Sequence, residues 1–533
     1  MLPEVSPLNL LSLEGQTMQV KSLGPIMALT TLLGCVDASQ AGTTFHTAVA
    51  PAPLPGSIFL YPERIPLLDG GFVNADRGIY FAPVNRSNPA SGVLGVEVYR
   101  FHASPEAQTG TPPVFFLHGG PSFEGLEGVL EEMGTFEERW LPLTNISDVV
   151  VVGQRGIGSS KPTTTIETTT TVDPAEVAYD PTRAKAEFQA VLAEERAFWE
   201  ENGLDLSGFT VLEAAEDVNE VRAALGYDKI TLWGGSFGSH WGMSLMRLHP
   251  EIIERAILRG MEGPDHTYDH PGHLWNVFRR VAEEAEASTE LHGRIPDGGL
   301  VAAFEEVARR ATANPFTVPF IDPRDGSRHN VLFDRHAVQS LSRGFSTPLD
   351  SVTGLRGWPA DVIELVEGNF TRAAGYLYFR SLQSGPQYRT ASYFQLDCGS
   401  GITAKRLAEQ VADPANAVLF RVNWTYTAGC PAWESDLGDG FRQNFDTEIP
   451  TVIAHGTWDT STPYENALEL TPHFKNSKFI PVIRGPHGAI QAAMRASGEF
   501  RAGILHFAAT GNMTQLPDTV TLPAVRFRVP SLR

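Results

Sequence analysis

The feature that most restricts the fold is an apolar run ending in glycine, met three times in the first half of the chain. These runs are PPVFFLHGGPS at 112–122, DVVVVGQRGIGSS at 148–160 and KITLWGGSFGSH at 229–240. An uninterrupted apolar run of this length reads as a strand buried on both faces, as in a parallel sheet covered by helices. Amphipathic helical patterns over 183–202 and 211–226 separate the runs, and RAILRG at 255–260 reads as a further short strand. This alternation predicts a mostly parallel α/β sheet. After Asp76, RGIYFAPV and GVLGVEVYRF alternate like half-buried strands, while residues 42–72, rich in proline, read as an extended lead-in. No unit recurs at a fixed period, which excludes solenoids and propellers.

From about residue 262 the pattern changes. LWNVFRRVAEEAEAS, GLVAAFEEVARRAT and AAGYLYFRSL are helical stretches without glycine-ended strands, and the sheet pattern resumes only at IPTVIAHG and KFIPVIRG. The expected division is an export and processing region over 1–41, a first core part over 42–261, a mainly helical cap over 262–446 and a second core part over 447–533. The threonine-rich piece at 163–172 reads as a surface loop.

With a formal net charge of −21, the chain is a poor partner for nucleic acid, whose phosphates require clustered cations. Lys21 precedes SLGPIMALTTLLGC at 22–35, too short to span a bilayer and suited to a signal-peptide core. LLGC resembles a bacterial lipoprotein processing box, which makes Cys35 a lipidation candidate; Ala41, closing SQA, offers an alternative cleavage site. The expected location is secreted or in a bacterial envelope, with or without a lipid anchor. With Cys35 lipidated or removed, Cys398 and Cys430 remain as an even pair, either one bridge or two buried thiols.

Gly234-Gly235-Ser236-Phe237-Gly238 matches Gly-x-Ser-x-Gly, with a strand pattern before it and a helix pattern after it. That context holds a serine hydroxyl exposed on a sharp strand-to-helix turn. A serine at its ordinary pKa needs a base in contact with it. His487 in RGPHGAI and Asp459 in HGTWDTSTP each follow a strand pattern, and the order Ser, acid, His is that of the α/β-hydrolase fold. Asp439 and Asp446 are rival acids and His455 a rival base that could equally be a packed core histidine. The oxyanion donors expected are the backbone N–H groups of Phe237 and of Gly120 or Gly119. This chemistry calls for no cofactor and no metal.

HGGPS, GQRGIGSSKP, GGSFGS, HGTWDTSTP and RGPHG together resemble the prolyl and tripeptidyl aminopeptidase branch of the α/β-hydrolases, over about residues 70–500. The resemblance implies a helical cap after the sixth core strand and a substrate opened from its amino end. Its catalytic serine falls on Ser236, its acid on Asp459, its base on His487 and its HGGP loop on 118–121. The segments around Cys398 and Cys430 resemble the cysteine-bearing cap of secreted members, which implies a disulfide between them. Two positions depart from the branch: Gly153 stands where relatives commonly have Asp, and Ser122 where many have glycine.

An aminopeptidase must bind a cationic amino terminus, and Glu262 is the first candidate for it, followed by Asp265 and Asp269; the same acidic run could instead solvate the cap or cap a helix. Carboxylesterase activity uses the same triad, with Trp241, Trp275, Tyr376, Tyr378 and Trp433 as candidates to line an acyl site or simply to pack the core. The partner expected is thus a peptide or small-ester substrate, and a noncatalytic binding protein on the same fold is the contrasting class. In DHTYDHPGH, Pro271 opposes one helix carrying His266, His270 and His273, and the reading assigns no metal there.

Overall fold

The computed structural model describes residues 53–531 apart from 68–69, 106, 108–109, 122–139, 169–180, 343–351, 382–386, 420–421 and 434. Cys35, the export segment and Ser122 lie outside the described residues. Strands β1 (Ile58–Pro66), β2 (Phe72–Pro83), β3 (Val93–Phe101), β4 (Val114–Leu117), β5 (Val149–Val152) and β6 (Thr165–Thr168) come first. Helices α1 (Pro181–Glu201) and α2 (Val211–Ala224) lead to β7 (Ile230–Gly235), α3 (Phe237–Leu248) and β8 (Ile253–Arg259). Thr210 caps α2 by accepting the Glu213 N–H, the first half of a Thr-x-x-Glu cap.

The principal sheet has ten strands in the order β1-β2-β3-β5-β4-β7-β8-β12-β13-β14, closed by β12 (Thr451–Gly456), β13 (Ser477–Ile483) and β14 (Val520–Thr521). β1, β2 and β3 pair antiparallel, as β3 does with β5; from β5 onward the pairs are parallel. The fold is an α/β-hydrolase fold, as the glycine-ended runs imply. β1 is an addition: part of the expected lead-in pairs with β2 from Phe72 to Tyr80 and forms the sheet edge.

Alternation of side chains builds two cores from the same strands. Phe115, Leu117, Val150 and Val152 face one core with Val218 of α2 and Trp241 of α3. Val114, Phe116, Val149 and Val151 face the other, with Ala489 and Phe507 from α10 (Ala489–Ala496) and α11 (Gly498–Thr510). All eight of these strand side chains are buried. At about 1.5–3 kcal/mol for each large apolar side chain, this burial is what makes the sheet its own scaffold.

Between β8 and β12 the chain is mainly helical: α4 (Pro271–Glu286), α5 (Gly299–Ala313), α6 (Val352–Val366), α7 (Ala391–Ser400), α8 (Ala404–Ala412) and α9 (Trp424–Gly429). It has a core of its own around Trp275, Phe278, Phe304 and Trp358. Residues of α7, including Phe394, Leu396 and Cys398, join instead the core beneath the sheet. The insertion also holds an antiparallel hairpin, β9 (Phe316–Ile321) with β10 (Arg328–Phe333). β11 (Gln387–Thr390) pairs antiparallel with β6, which corrects the threonine-rich surface loop: part of it is a strand joined to the insertion. Trp241, Trp275 and Trp433 are buried packing residues rather than an acyl lining, and Tyr376 and Tyr378 pack partly buried on the insertion's core. Among the described residues no helix is long and apolar enough to cross a membrane.

Candidate active site

The carboxyl ends of β7, β8, β12 and β13 lie side by side, which is where the loops of an open parallel sheet assemble a site. Ser236 sits between β7 and α3 at φ 58° and ψ −136°. A non-glycine residue is strained there by roughly 1–3 kcal/mol, so its neighbours must hold it. Its N–H donates to the carbonyls of Gly260 (3.0 Å) and Arg259 (3.3 Å), and Ser239 Oγ donates to its carbonyl at 2.7 Å. The pentapeptide glycine is explained by close approach: a Cβ on Gly238 would stand 2.0 Å from the Leu117 carbonyl oxygen.

His487 and Asp459 come together as the sequence order implies. Asp459, in the turn after β12, is fully buried and accepts from the N–H groups of Ser461 and Thr462 and the hydroxyl of Thr462, each at 2.9 Å. His487 Nδ1 lies 3.0 Å from both carboxylate oxygens of Asp459, and its side chain is 21% exposed. With Nδ1–H donated to the carboxylate, Nε2 is the nitrogen that can take a proton. Burial alone would raise the Asp459 carboxyl; the charge and hydrogen bond of His487, with His455 and the Thr462 N–H, outweigh it and hold the group well below the usual carboxylate range. Gly260 links base and serine: it accepts from Ser236 N, and a Cβ on it would stand 2.9 Å from His487 Cε1. Among the described residues Ser236 Oγ makes no hydrogen bond; such contacts commonly tighten only with substrate bound.

The rivals fall elsewhere. His455 is buried, accepts from Met261 N at Nδ1 (3.1 Å) and lies 2.8 Å from the Thr462 carbonyl at Nε2, so both nitrogens brace backbone. Asp446 pairs with His473 and Lys475, and Asp439 with Arg442. The HGG loop approaches the serine closely: a Cβ on Gly119 would lie 2.9 Å from Ser236 Cβ. Gly120 adopts φ 124°, and Phe237, first residue of α3, buries its ring, leaving a backbone N–H of the kind that lacks an intrahelical partner. Gln154 fixes this loop, donating to the carbonyls of Gly119 (3.2 Å) and His118 (3.3 Å). Arg155 beside it is wholly buried, donating to Asp217 and to the carbonyls of Val84 and Gly208.

The three acidic candidates separate. Asp265 accepts from Thr403 N and Oγ1, both at 2.7 Å, and so pins the start of α8, the bland role. Glu262 lies one residue from the serine turn: its N–H donates to Ser239 Oγ at 2.9 Å. Its carboxyl is raised well above the ordinary value by burial and by the neighbouring charges of Asp397 and Asp269, and among the described residues it accepts no hydrogen bond. Asp269 belongs to this group and is anchored through its backbone to Asn423. Asp397 escapes sequence reasoning, since it lies inside α7, a helix of the insertion, away from the carboxyl end of any strand of the principal sheet. Burial pushes its carboxyl up to about 8, against the opposing Tyr426 hydroxyl, which donates to it at 2.8 Å. Tyr393 meets Tyr426 at 3.1 Å and Tyr268 stacks on Tyr426, giving the acidic group an aromatic wall.

Cys398, next to Asp397, forms a disulfide with Cys430, with Cα atoms 5.2 Å apart. His266 faces Glu469 at 3.1 Å, while His270 and His273 stack on each other; among the described residues no group of three or more His, Cys, Asp or Glu is arranged to hold a metal.

Comparison with known proteins adds a profile match, described as alpha/beta hydrolase fold, over residues 112–292. The proline iminopeptidase of Neisseria gonorrhoeae is 26% identical over 401 residues, 75% of this chain and 90% of that protein. The tripeptidyl aminopeptidase of Streptomyces coelicolor is 24% identical over 438 residues, 77% of each chain. The match to the proline iminopeptidase of Neisseria meningitidis serogroup A, at 26% identity, covers 32% of this chain and spans 40% of the length of that relative. A solved esterase from Exiguobacterium antarcticum is alike at a TM-score of 0.32 and 14% identity, over 78% of this chain and 96% of that one. The chain therefore has an α/β-hydrolase fold and is similar, at low identity, to members of the proline iminopeptidase and tripeptidyl aminopeptidase branch of the α/β-hydrolases.

Proposed function

We propose that the protein is a serine exopeptidase that cleaves peptide bonds near a free amino terminus. The observation that carries this reading is the Glu262 carboxylate, which has no hydrogen-bond partner among the described residues, sits with Asp397 and Asp269, and is one Ser239 hydroxyl from the nucleophile turn. Glu262 and Asp397 are buried with no cation paired to them among the described residues, which is costly, and an ammonium group supplies what they lack. The similarity to a proline iminopeptidase and a tripeptidyl aminopeptidase supports it.

In this reading His487 Nε2 takes the Ser236 proton as Oγ attacks the scissile carbonyl, and Asp459 holds the imidazole and stabilises its charged form. The oxyanion is met by the N–H groups of Phe237 and of Gly120 or Gly119. His487 then passes its proton to the leaving amine, and water repeats the cycle on the acyl-enzyme. The insertion, over about 262–446, supplies Asp397 and the tyrosine wall of the amine pocket. Export through residues 1–41 belongs to the same proposal and agrees with the disulfide, a bond of oxidising compartments.

Ester hydrolysis is the second reading, because triad and oxyanion donors act on esters without engaging the acidic group. The deciding experiment compares wild type and Ser236→Ala on alanyl, prolyl and tripeptidyl amides, free and acetyl-blocked, beside short acyl esters. Loss of roughly 10⁴-fold or more in kcat for free-ended peptides, with blocked peptides inert to wild type, is the expected result. Serine-dependent cleavage of esters alone would establish the carboxylesterase, and no serine-dependent turnover would leave a binding protein.

A further inference from the structure

The Ser236 and His487 loops are far apart in the chain, and one side chain touches both. Arg259 ends β8 and stands in register with Gly235, last residue of β7. A Cβ on Gly235 would lie 2.8 Å from Arg259 Nε and Cζ, so the guanidinium occupies the space beside the backbone that enters the serine turn. Arg259 receives the Ser236 N–H at its own carbonyl, and its Nη1 donates to the His487 carbonyl at 2.9 Å. Among the described residues this is the guanidinium's only hydrogen bond, and no carboxylate stands within ion-pair distance. Five donors on a partly buried cation with one acceptor are an unusual economy for arginine. Burial disfavours the charge here, and Asp459 supports it from a distance.

We infer that Arg259 is a positioning residue: it holds the His487 loop against the Ser236 turn, and its fixed charge opposes protonation of the imidazole that Asp459 favours. The inference rests on the proposed triad. The groups facing His487 are the Asp459 carboxylate and Thr462 hydroxyl from the turn after β12, the buried His455 from β12 itself, Gly260, and Arg259 from β8. Of these only Arg259 is a permanent cation, so its removal has a definite sign. The imidazolium becomes easier to form, and the acid limb of the activity profile moves to higher pH.

The test is the rate of active-site labelling by a fluorophosphonate between about pH 5 and 9 for wild type, Arg259→Lys, Arg259→Gln and Ser236→Ala. Arg259→Gln keeps an amide donor for the His487 carbonyl and loses the charge; its acid limb should move up by about half a unit to one unit. Arg259→Lys keeps the charge and loses the planar fork; it should label several-fold more slowly with its acid limb in place. An Arg259→Gln limb superimposed on wild type, or an Arg259→Lys limb displaced as far as that of Arg259→Gln, overturns the inference. Should Arg259→Gln not fold, Arg259→Lys decides alone: slower labelling on an unmoved limb supports the assignment and a moved limb overturns it. Labelling of Ser236→Ala at the wild-type rate would instead sink the triad reading itself, a separate outcome.

Discussion

Two groups of buried carboxylates flank the serine turn, and they are built in opposite ways. Asp459 is surrounded by donors, two backbone N–H groups, a threonine hydroxyl and an imidazole, and is held well below the usual carboxylate range. Among the described residues Glu262 and Asp397 have between them one tyrosine hydroxyl, and both are raised by burial. The difference separates an acid whose partner is part of the protein from acids whose partner, in the proposed function, is the substrate amine. The first is satisfied by its own neighbours; the second is, in the proposed function, a place where a cation gains more than it would in water.

Breaking the first group should have the largest effect. Asp459→Asn retains an oxygen for the Ser461 and Thr462 N–H groups, so the turn survives, but the amide cannot stabilise the imidazolium or enforce its tautomer. The expected loss is about 10³–10⁴-fold in kcat with KM changed little, read from steady-state kinetics on any substrate the protein turns over. A loss below tenfold would remove the contrast, because Asp459 would then be only another satisfied buried acid.

Breaking the second group should divide substrates instead. Glu262→Gln and Asp397→Asn are expected to raise KM for free-ended peptides by about 10- to 100-fold, the worth of a charge-assisted hydrogen bond, and to leave acyl esters within about 2-fold. With Asp397 pushed up to about 8, the empty pocket holds a proton at neutral pH that an ammonium ligand expels. The kcat/KM of a free-ended peptide should therefore climb towards about pH 8 and then fall as the substrate amine loses its charge, while esters lack the climb. Stability carries the same sign. A carboxyl raised from 3.8 to about 8 stabilises the fold fully below the lower value, and that contribution is lost as pH rises through the higher one. Asp397→Asn should accordingly gain melting temperature relative to wild type as pH rises from about 5 to 9. Equal pH dependence for peptides and esters would refute the amine pocket.

What was legible in the sequence follows the same division. The sheet could be read because each strand is short, apolar and closed by glycine, and because Ser236, Asp459 and His487 all stand just after such a strand. Local pattern and tertiary position coincide there. In the insertion they do not. Asp397 is defined by a tyrosine about thirty residues away and by the Glu262 carboxyl from the segment after β8, and no periodicity records such a meeting. Asp265 carried the same local signals as Glu262 and proved to be committed to Thr403, a contact fixed only by where α8 begins. β1 and β6 were hidden for another reason: edge strands with few buried side chains, or made of threonine, have a weak alternation.

The smallest expected effect concerns the brace on the serine side. Gly153 stands where the resembled branch commonly has aspartate, and Gln154 and Arg155 brace the loop from the next two positions. The glycine is also required sterically. Its N–H donates to the Glu97 carbonyl at 2.7 Å, and a Cβ would stand 3.0 Å from that oxygen and 3.2 Å from Glu97 Cβ and Ser160 Oγ. Two of these neighbours belong to a strand of the sheet and yield little. Gly153→Ala should cost about 1 kcal/mol of stability in denaturant unfolding, with kcat/KM within about 2-fold, because the Gln154 contacts to the Gly119 and His118 carbonyls remain. Gly153→Asp should cost more, since it adds a carboxylate beside that of Glu97, which pairs with Arg77 at 3.1 Å. A gain in stability from aspartate would mean that the loop is under-braced, and that the serine side, like the amine pocket, is unfinished without a ligand.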